Sequence, residues 1–173
     1  VSTDGRSLPE VVGALLKQTG LRVGVGESCT GGLVTARLVD APGSSSYVVN
    51  GVVAYSNEIK QTVFGIERVL LDRHGAVSEQ IAAEMAAGAR RIGGADIGLG
   101  VTGVAGPGGG TDMKPVGMVC FGISGPGEGH LTKTVQFSGE RAVVRQQATQ
   151  TALDLLRRVL LGRARDGAAV YCG

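Results

Sequence analysis

The sequence has no tryptophan and only three each of tyrosine, phenylalanine and cysteine. So few rings leave little to stack on nucleic-acid bases, and a formal net charge of +2 is too small for electrostatic capture of a phosphate backbone. Cys29, Cys120 and Cys172 are an odd set with no CxxC spacing, which excludes a disulfide framework and a cysteine zinc site. Sparse cysteine fits a reducing, cytoplasmic compartment. The only histidines, His74 and His130, lie far apart without ligand-spaced neighbours. No apolar run approaches the roughly 20 residues that cross a bilayer. The first ten residues, VSTDGRSLPE, contain no signal-peptide core. A membrane protein, a secreted disulfide scaffold and a basic nucleic-acid binder are all disfavoured.

What the chain has is glycine, 30 of 173 residues, against 43% hydrophobic and 18% charged residues. This is globular composition at a length that suits one domain. The glycines read as concentrated in a few loops, where small residues let backbone approach a ligand.

The pattern predicts helices over 7–19, opened by a Ser7/Glu10 capping box, over 32–41, from Ser56 or Asn57 onward, over 79–92 behind Ser78, and over about 140–161. Between them fall apolar or β-branched runs at 21–26, 47–55 and 95–102. VGMVCFGIS and HLTKTVQF, joined by GPGEG, read as an antiparallel hairpin. Strands alternating with helices before a late hairpin imply a single three-layer α/β/α domain with a mixed sheet. The domain is expected to fill residues 1–162, with 163–173 a frayed tail.

Ligands of such sheets sit at the carboxyl ends of the strands. ESCTGG (27–32) joins a strand to a helix start, whose free N–H groups suit phosphate or carboxylate. It lacks the Gly-Lys-Ser/Thr ending of a Walker loop. Cys29 within it is a second candidate nucleophile. Ser44-Ser45-Ser46 and Tyr55-Ser56-Asn57-Glu58-Ile59-Lys60 flank one strand; a serine activated by a lysine and a tyrosine needs no histidine. Thr102-Gly103-Val104-Ala105-Gly106 begins a glycine loop that reads either as a cradle or lid, or as plain surface. Arg141 and Arg145, four apart on one helix face, suit a shared phosphate.

Taken in order, GESCTGG (26–32), PGSSSYVVNGVVAYSNEIK (42–60), HGAVSE (74–79), VTGVAGPGGG (101–110), KPVG (114–117) and RQQAT (145–149) resemble the C-terminal domain of the CinA family. That family includes stand-alone bacterial nicotinamide-mononucleotide deamidases. The resemblance implies an amidohydrolase converting nicotinamide mononucleotide and water to nicotinate mononucleotide and ammonia, without metal or cofactor. It assigns Ser45 as nucleophile with Tyr55 and Lys60 as its proton-handling pair. Substrate contacts fall on Ser28, Thr30, Gly31, Gly32, Asn57, Thr102, Gly103, Gly106 and Arg141, to which spacing adds Arg145. Two-domain relatives add an N-terminal domain linked to ADP-ribose hydrolysis, so that second activity is not expected here. The expected partner is the nucleotide, in a homo-oligomer, with no nucleic acid or membrane. The alternatives are a non-catalytic nucleotide sensor tied to competence or DNA repair, and a Cys29-dependent hydrolase.

Overall fold

The computed structural model describes residues 5–125 and 130–165. Five strands, β1 (Val23–Glu27), β2 (Val48–Val53), β3 (Ile97–Gly103), β4 (Met118–Ser124) and β5 (His130–Gln136), form one sheet in the order β2-β1-β3-β4-β5. β1 runs parallel to both β2 and β3, whereas β3, β4 and β5 pair antiparallel, giving the mixed sheet and the late hairpin. All but the first residue of the GPGEG turn lies outside the described residues.

Local chemistry sets the element ends. Helix α1 (Leu8–Thr19) opens where Ser7 donates both its N–H and its hydroxyl to the Glu10 carboxylate. It stops at Gly20, which adopts the left-handed conformation at φ 67°. α2 (Leu33–Val39) follows β1, and a single 3-10 turn, Ser44–Ser46, precedes β2. Ser56 caps α3 (Asn57–Phe64) by accepting from the Ile59 N–H, and Ser78 caps α5 (Glu79–Ile92) by accepting from Ile81. The expected single helical stretch after Tyr55 is broken at Gly65, and a separate α4 (Arg68–His74) follows. The last helix, α6 (Arg141–Arg165), runs past its expected end near Gly162; the rest of the expected frayed tail lies outside the described residues.

The sheet has two unlike faces. On one, α1, α2 and α6 bury Val12, Leu16, Val34, Leu38, Leu153 and Leu156 against Val25, Leu99 and Phe121. Each such side chain contributes about 1.5–3 kcal/mol relative to exposure. On the other, α5 lies directly on the strands. Gly24, Gly26, Gly98, Gly100 and Gly122 stand in register beneath it, Gly24 beside Gly98 and Gly100 between Gly26 and Gly122. A methyl on Gly24 would sit 2.5 Å from the Ala89 carbonyl oxygen, and Gly98, Gly100 and Gly122 are closed off likewise by Ala86 and Ala82. This corrects the reading that glycine gathers in loops. Much of it builds a close contact between helix backbone and sheet backbone. A smaller apolar cluster, Phe64, Ile66, Leu71, Ile81 and Met85, ties α3 and α4 to α5.

Candidate functional site

β1 leads through α2 to β2 on one side, while β3 takes the other side of β1 after α3, α4 and α5. Chain leaving the carboxyl ends of neighbouring strands in opposite directions opens a crevice there. A cavity of about 200 Å³ occupies it, lined by Ser28 and Cys29 after β1, Tyr55, Asn57 and Lys60 after β2, and Thr102, Gly103 and Ala105 at the end of β3. Ala76 and Val77 ahead of α5, and Arg141 at the start of α6, complete the lining.

Lys60 dominates its electrostatics. Its side chain is only 2% exposed, and its Nζ donates to the carbonyls of Ala54 (3.0 Å) and Tyr55 (3.4 Å). Burial pushes its pKa below the ordinary lysine value; the acidic neighbours Cys29 and Glu58 oppose this only partly. Arg141 donates to the Tyr55 hydroxyl and to the Gly106 carbonyl, both at 2.9 Å. It thereby clasps the glycine loop to the tyrosine, whose own proton is free to point elsewhere. The Thr102 hydroxyl donates to Ala76 and so serves to hold the Ala76–Val77 segment in the wall. Lys114 donates to the His74 carbonyl, pinning the far end of the loop. The 103–115 segment is thus tied at Gly106 to Arg141 and at Lys114 to His74.

Two expectations change. The N–H groups at the start of α2 are not open to an anion, because Glu27 already fills that place. Its fully buried carboxylate accepts from the N–H groups of Gly32 (3.0 Å), Val34 (3.1 Å) and Thr35 (2.9 Å), and from the Thr35 hydroxyl (2.7 Å). Thr30, Gly31 and Gly32 accordingly stand behind the cavity. Gly31 and Gly32 supply the left-handed turn, at φ 61° and 95°. Arg145 donates to the Thr30 carbonyl at 2.8 Å, bracing the turn, with its Nε and the Thr30 hydroxyl buried and unpartnered. Gly106 reaches the site only through Arg141.

The second change concerns Ser45. It belongs to the turn that leads into β2, whereas Tyr55 and Lys60 follow β2, so a whole strand, about 20 Å, separates them. Ser45 is exposed at the amino end of the sheet and lies outside the cavity. The serine that shares the cavity with Tyr55 and Lys60 is Ser28, 8% exposed. Cys29, beside it, is buried in the core, and desolvation pushes its thiol up to about 12. A thiol so reluctant to ionise does not suit the cysteine-hydrolase alternative. Ala76, Val77 and Ala105 were not singled out as site residues. Their signal was membership of the HGAVSE and VTGVAGPGGG stretches, not any reactive side chain.

The CinA C-terminal domain model matches residues 5–160. A CinA-like protein of Mycobacterium tuberculosis strain H37Ra is 50% identical over 93% of this chain, and one of Mycobacterium marinum is 48% identical over 92%. The chain spans 37% of the length of each of these curated relatives. Among solved structures, a competence-damaged protein (CinA) superfamily protein from Klebsiella pneumoniae superposes with a TM-score of 0.86 at 35% identity, covering 90% of this chain and 96% of that one. A competence/damage inducible protein from Agrobacterium tumefaciens gives 0.83 at 35% identity, covering 92% and 99%. The fold, the match across nearly all described residues and these relatives agree that the chain belongs to the CinA C-terminal domain family.

Proposed function

We propose that the chain is an amidohydrolase that removes ammonia from the carboxamide of nicotinamide mononucleotide, with Ser28 as nucleophile and Lys60 as general base. The observation that carries this reading is a buried lysine, its pKa depressed, sharing one cavity with a serine and a tyrosine. The ordered family stretches supply the substrate.

Two carbonyls engage two of the hydrogens on Lys60. The neutral amine keeps a lone pair, which takes the Ser28 proton as Oγ bonds to the carboxamide carbon. The pyridinium ring withdraws electrons from that carbon and eases the attack. The Tyr55 hydroxyl, held by Arg141, is placed to donate to the developing oxyanion; such a donor contributes about 3–4 kcal/mol to the transition state. As the C–N bond breaks, protonated Lys60 passes its proton to the departing nitrogen and ammonia leaves. Water then attacks the Ser28 ester, giving its proton to Lys60. Nicotinate mononucleotide is released, and Ser28 regains its hydrogen from Lys60. Ligand pockets usually measure about 300–1,000 Å³. A cavity of about 200 Å³ suits the carboxamide-bearing ring, with ribose and phosphate at the mouth.

The test is ammonia release from nicotinamide mononucleotide by the purified chain and by Ser28→Ala and Ser45→Ala. Ser28→Ala should lower kcat by about 10³-fold or more, as loss of a nucleophile does. Ser45→Ala should leave kcat close to wild type. Loss of turnover in Ser45→Ala alone would return the nucleophile to Ser45. Saturable nucleotide binding by wild type without ammonia would mark a sensor instead.

A further inference from the structure

Among the described residues that line the cavity, Cys29, Tyr55, Lys60 and Arg141 can ionise, and none of the lining is a carboxylate. Two basic groups thus face the cavity with no acid inside it. Arg141 is braced by the Tyr55 hydroxyl and the Gly106 carbonyl. Lys60, 2% exposed, has only the carbonyls of Ala54 and Tyr55. The neighbouring acids stand outside the lining. Glu58 is exposed on α3, and Glu27, at the end of β1, keeps its carboxylate within the donors at the start of α2. Cys29, after β1, stays a neutral thiol, raised to about 12. β3 and the segment ahead of α5 contribute Thr102, Ala76 and Val77, which do not titrate. A proton on Lys60 therefore makes a buried positive charge without a counter-charge, an arrangement that calls for an anion.

We propose that the cavity holds the carboxylate product in preference to the carboxamide substrate whenever Lys60 carries a proton, so that the product inhibits increasingly toward acid pH. The choice of ligands rests on the deamidase reading. Substrate and product share ring and phosphate and differ in one group. The carboxamide is neutral and leaves the cationic ring beside a cationic lysine, whereas the carboxylate supplies the counter-charge. Hydrolysis itself creates the pair. Once Ser28 has regained its hydrogen, the new carboxyl group is a far stronger acid than a lysine ammonium. Its O–H bond breaks, an N–H bond forms on Lys60, and turnover ends with carboxylate beside ammonium. Lys60 must shed that proton before it serves as base again. Pairing also raises the proton affinity of Lys60 above that in the free enzyme. Between those two values product binding takes up one proton, so affinity falls as pH rises. Substrate binding has the opposite sign, because the cationic ring disfavours the proton.

Calorimetric titration from about pH 6 to about pH 10 spans a depressed and an ordinary lysine. Nicotinate mononucleotide is titrated into the wild type, and nicotinamide mononucleotide into Ser28→Ala. Product affinity should fall about tenfold per pH unit over part of that range, with uptake of about one proton. Substrate affinity should rise with pH across the titration of Lys60. The shared ring and phosphate titrate alike in both ligands, so the contrast isolates the carboxyl group. Lys60→Met and Lys60→Gln, each checked for folding by circular dichroism, should bind product weakly and without the slope. Equal slopes for the two ligands, a product affinity that does not fall with rising pH, or a slope that survives both Lys60 variants would overturn the proposal. If wild type releases no ammonia while the slopes stand, the deamidase reading falls and the carboxylate preference remains. Binding of neither nucleotide would overturn both.

Discussion

Lys60 and Glu27 are both ionisable and both buried, yet their surroundings treat them in opposite ways. Glu27 is surrounded by donors, so its negative charge is compensated by hydrogen bonds to the start of α2. Replacing it with glutamine removes the charge that attracts those N–H groups and turns an NH₂ toward some of them. Glu27→Gln should therefore lose about 2–4 kcal/mol in chemical denaturation. Lys60 has only two carbonyls and a dry setting, which favours the neutral amine. The kcat/KM profile should accordingly rise with pH to a plateau, its midpoint below the lysine value of 10.5. Stability has the same sign. Between the depressed folded value and the unfolded one, the unfolded chain holds a proton that the folded chain has shed, so stability increases with pH across that window. Below the window the cost of burying the charge persists. Lys60→Met should abolish turnover without lowering Tm at pH 7, the combination expected of a group placed for chemistry at the expense of stability. A midpoint at or above 10.5, or a Tm well below wild type, would remove Lys60 from that role.

At the scale of elements, α5 and the glycine-lined strands are the distinctive pairing. Gly98 and Gly100 face helix carbonyls that leave no room for a methyl group. Gly100→Ala should cost about 2–3 kcal/mol or more, because neither backbone can give way without disturbing its own hydrogen bonds; urea denaturation measures it. Gly20→Ala pays only for its left-handed φ, since open space surrounds it. The helices and strands were legible because caps and apolar periodicity are local: Ser7 with Glu10, Ser56 and Ser78 each stand where the sequence places a start. The glycine face was not legible, because strand glycines look like turn residues until a partner helix is known. The break at Gly65 was missed for a related reason, as one glycine within a helical pattern does not reveal whether it kinks or stops it.

At the scale of the molecule, the ordered stretches from GESCTGG to RQQAT identified the family and placed most of the cavity. Ser28, Tyr55, Asn57, Lys60, Thr102, Gly103 and Arg141 do converge. Ser45 did not join them, because nearness in sequence across a strand is distance in space: the residues flanking β2 stand at opposite ends of the sheet.

The contact between α5 and the sheet also bears on time. Where alanine meets glycine there are no rotamers to exchange and almost no free volume, so nothing in that layer can breathe by small side-chain steps. Amides of β1 and β3 beneath α5 should exchange with deuterium only through opening of the whole domain, making the glycine face its slowest clock. The strands whose carboxyl ends line the cavity then open only with the domain as a whole.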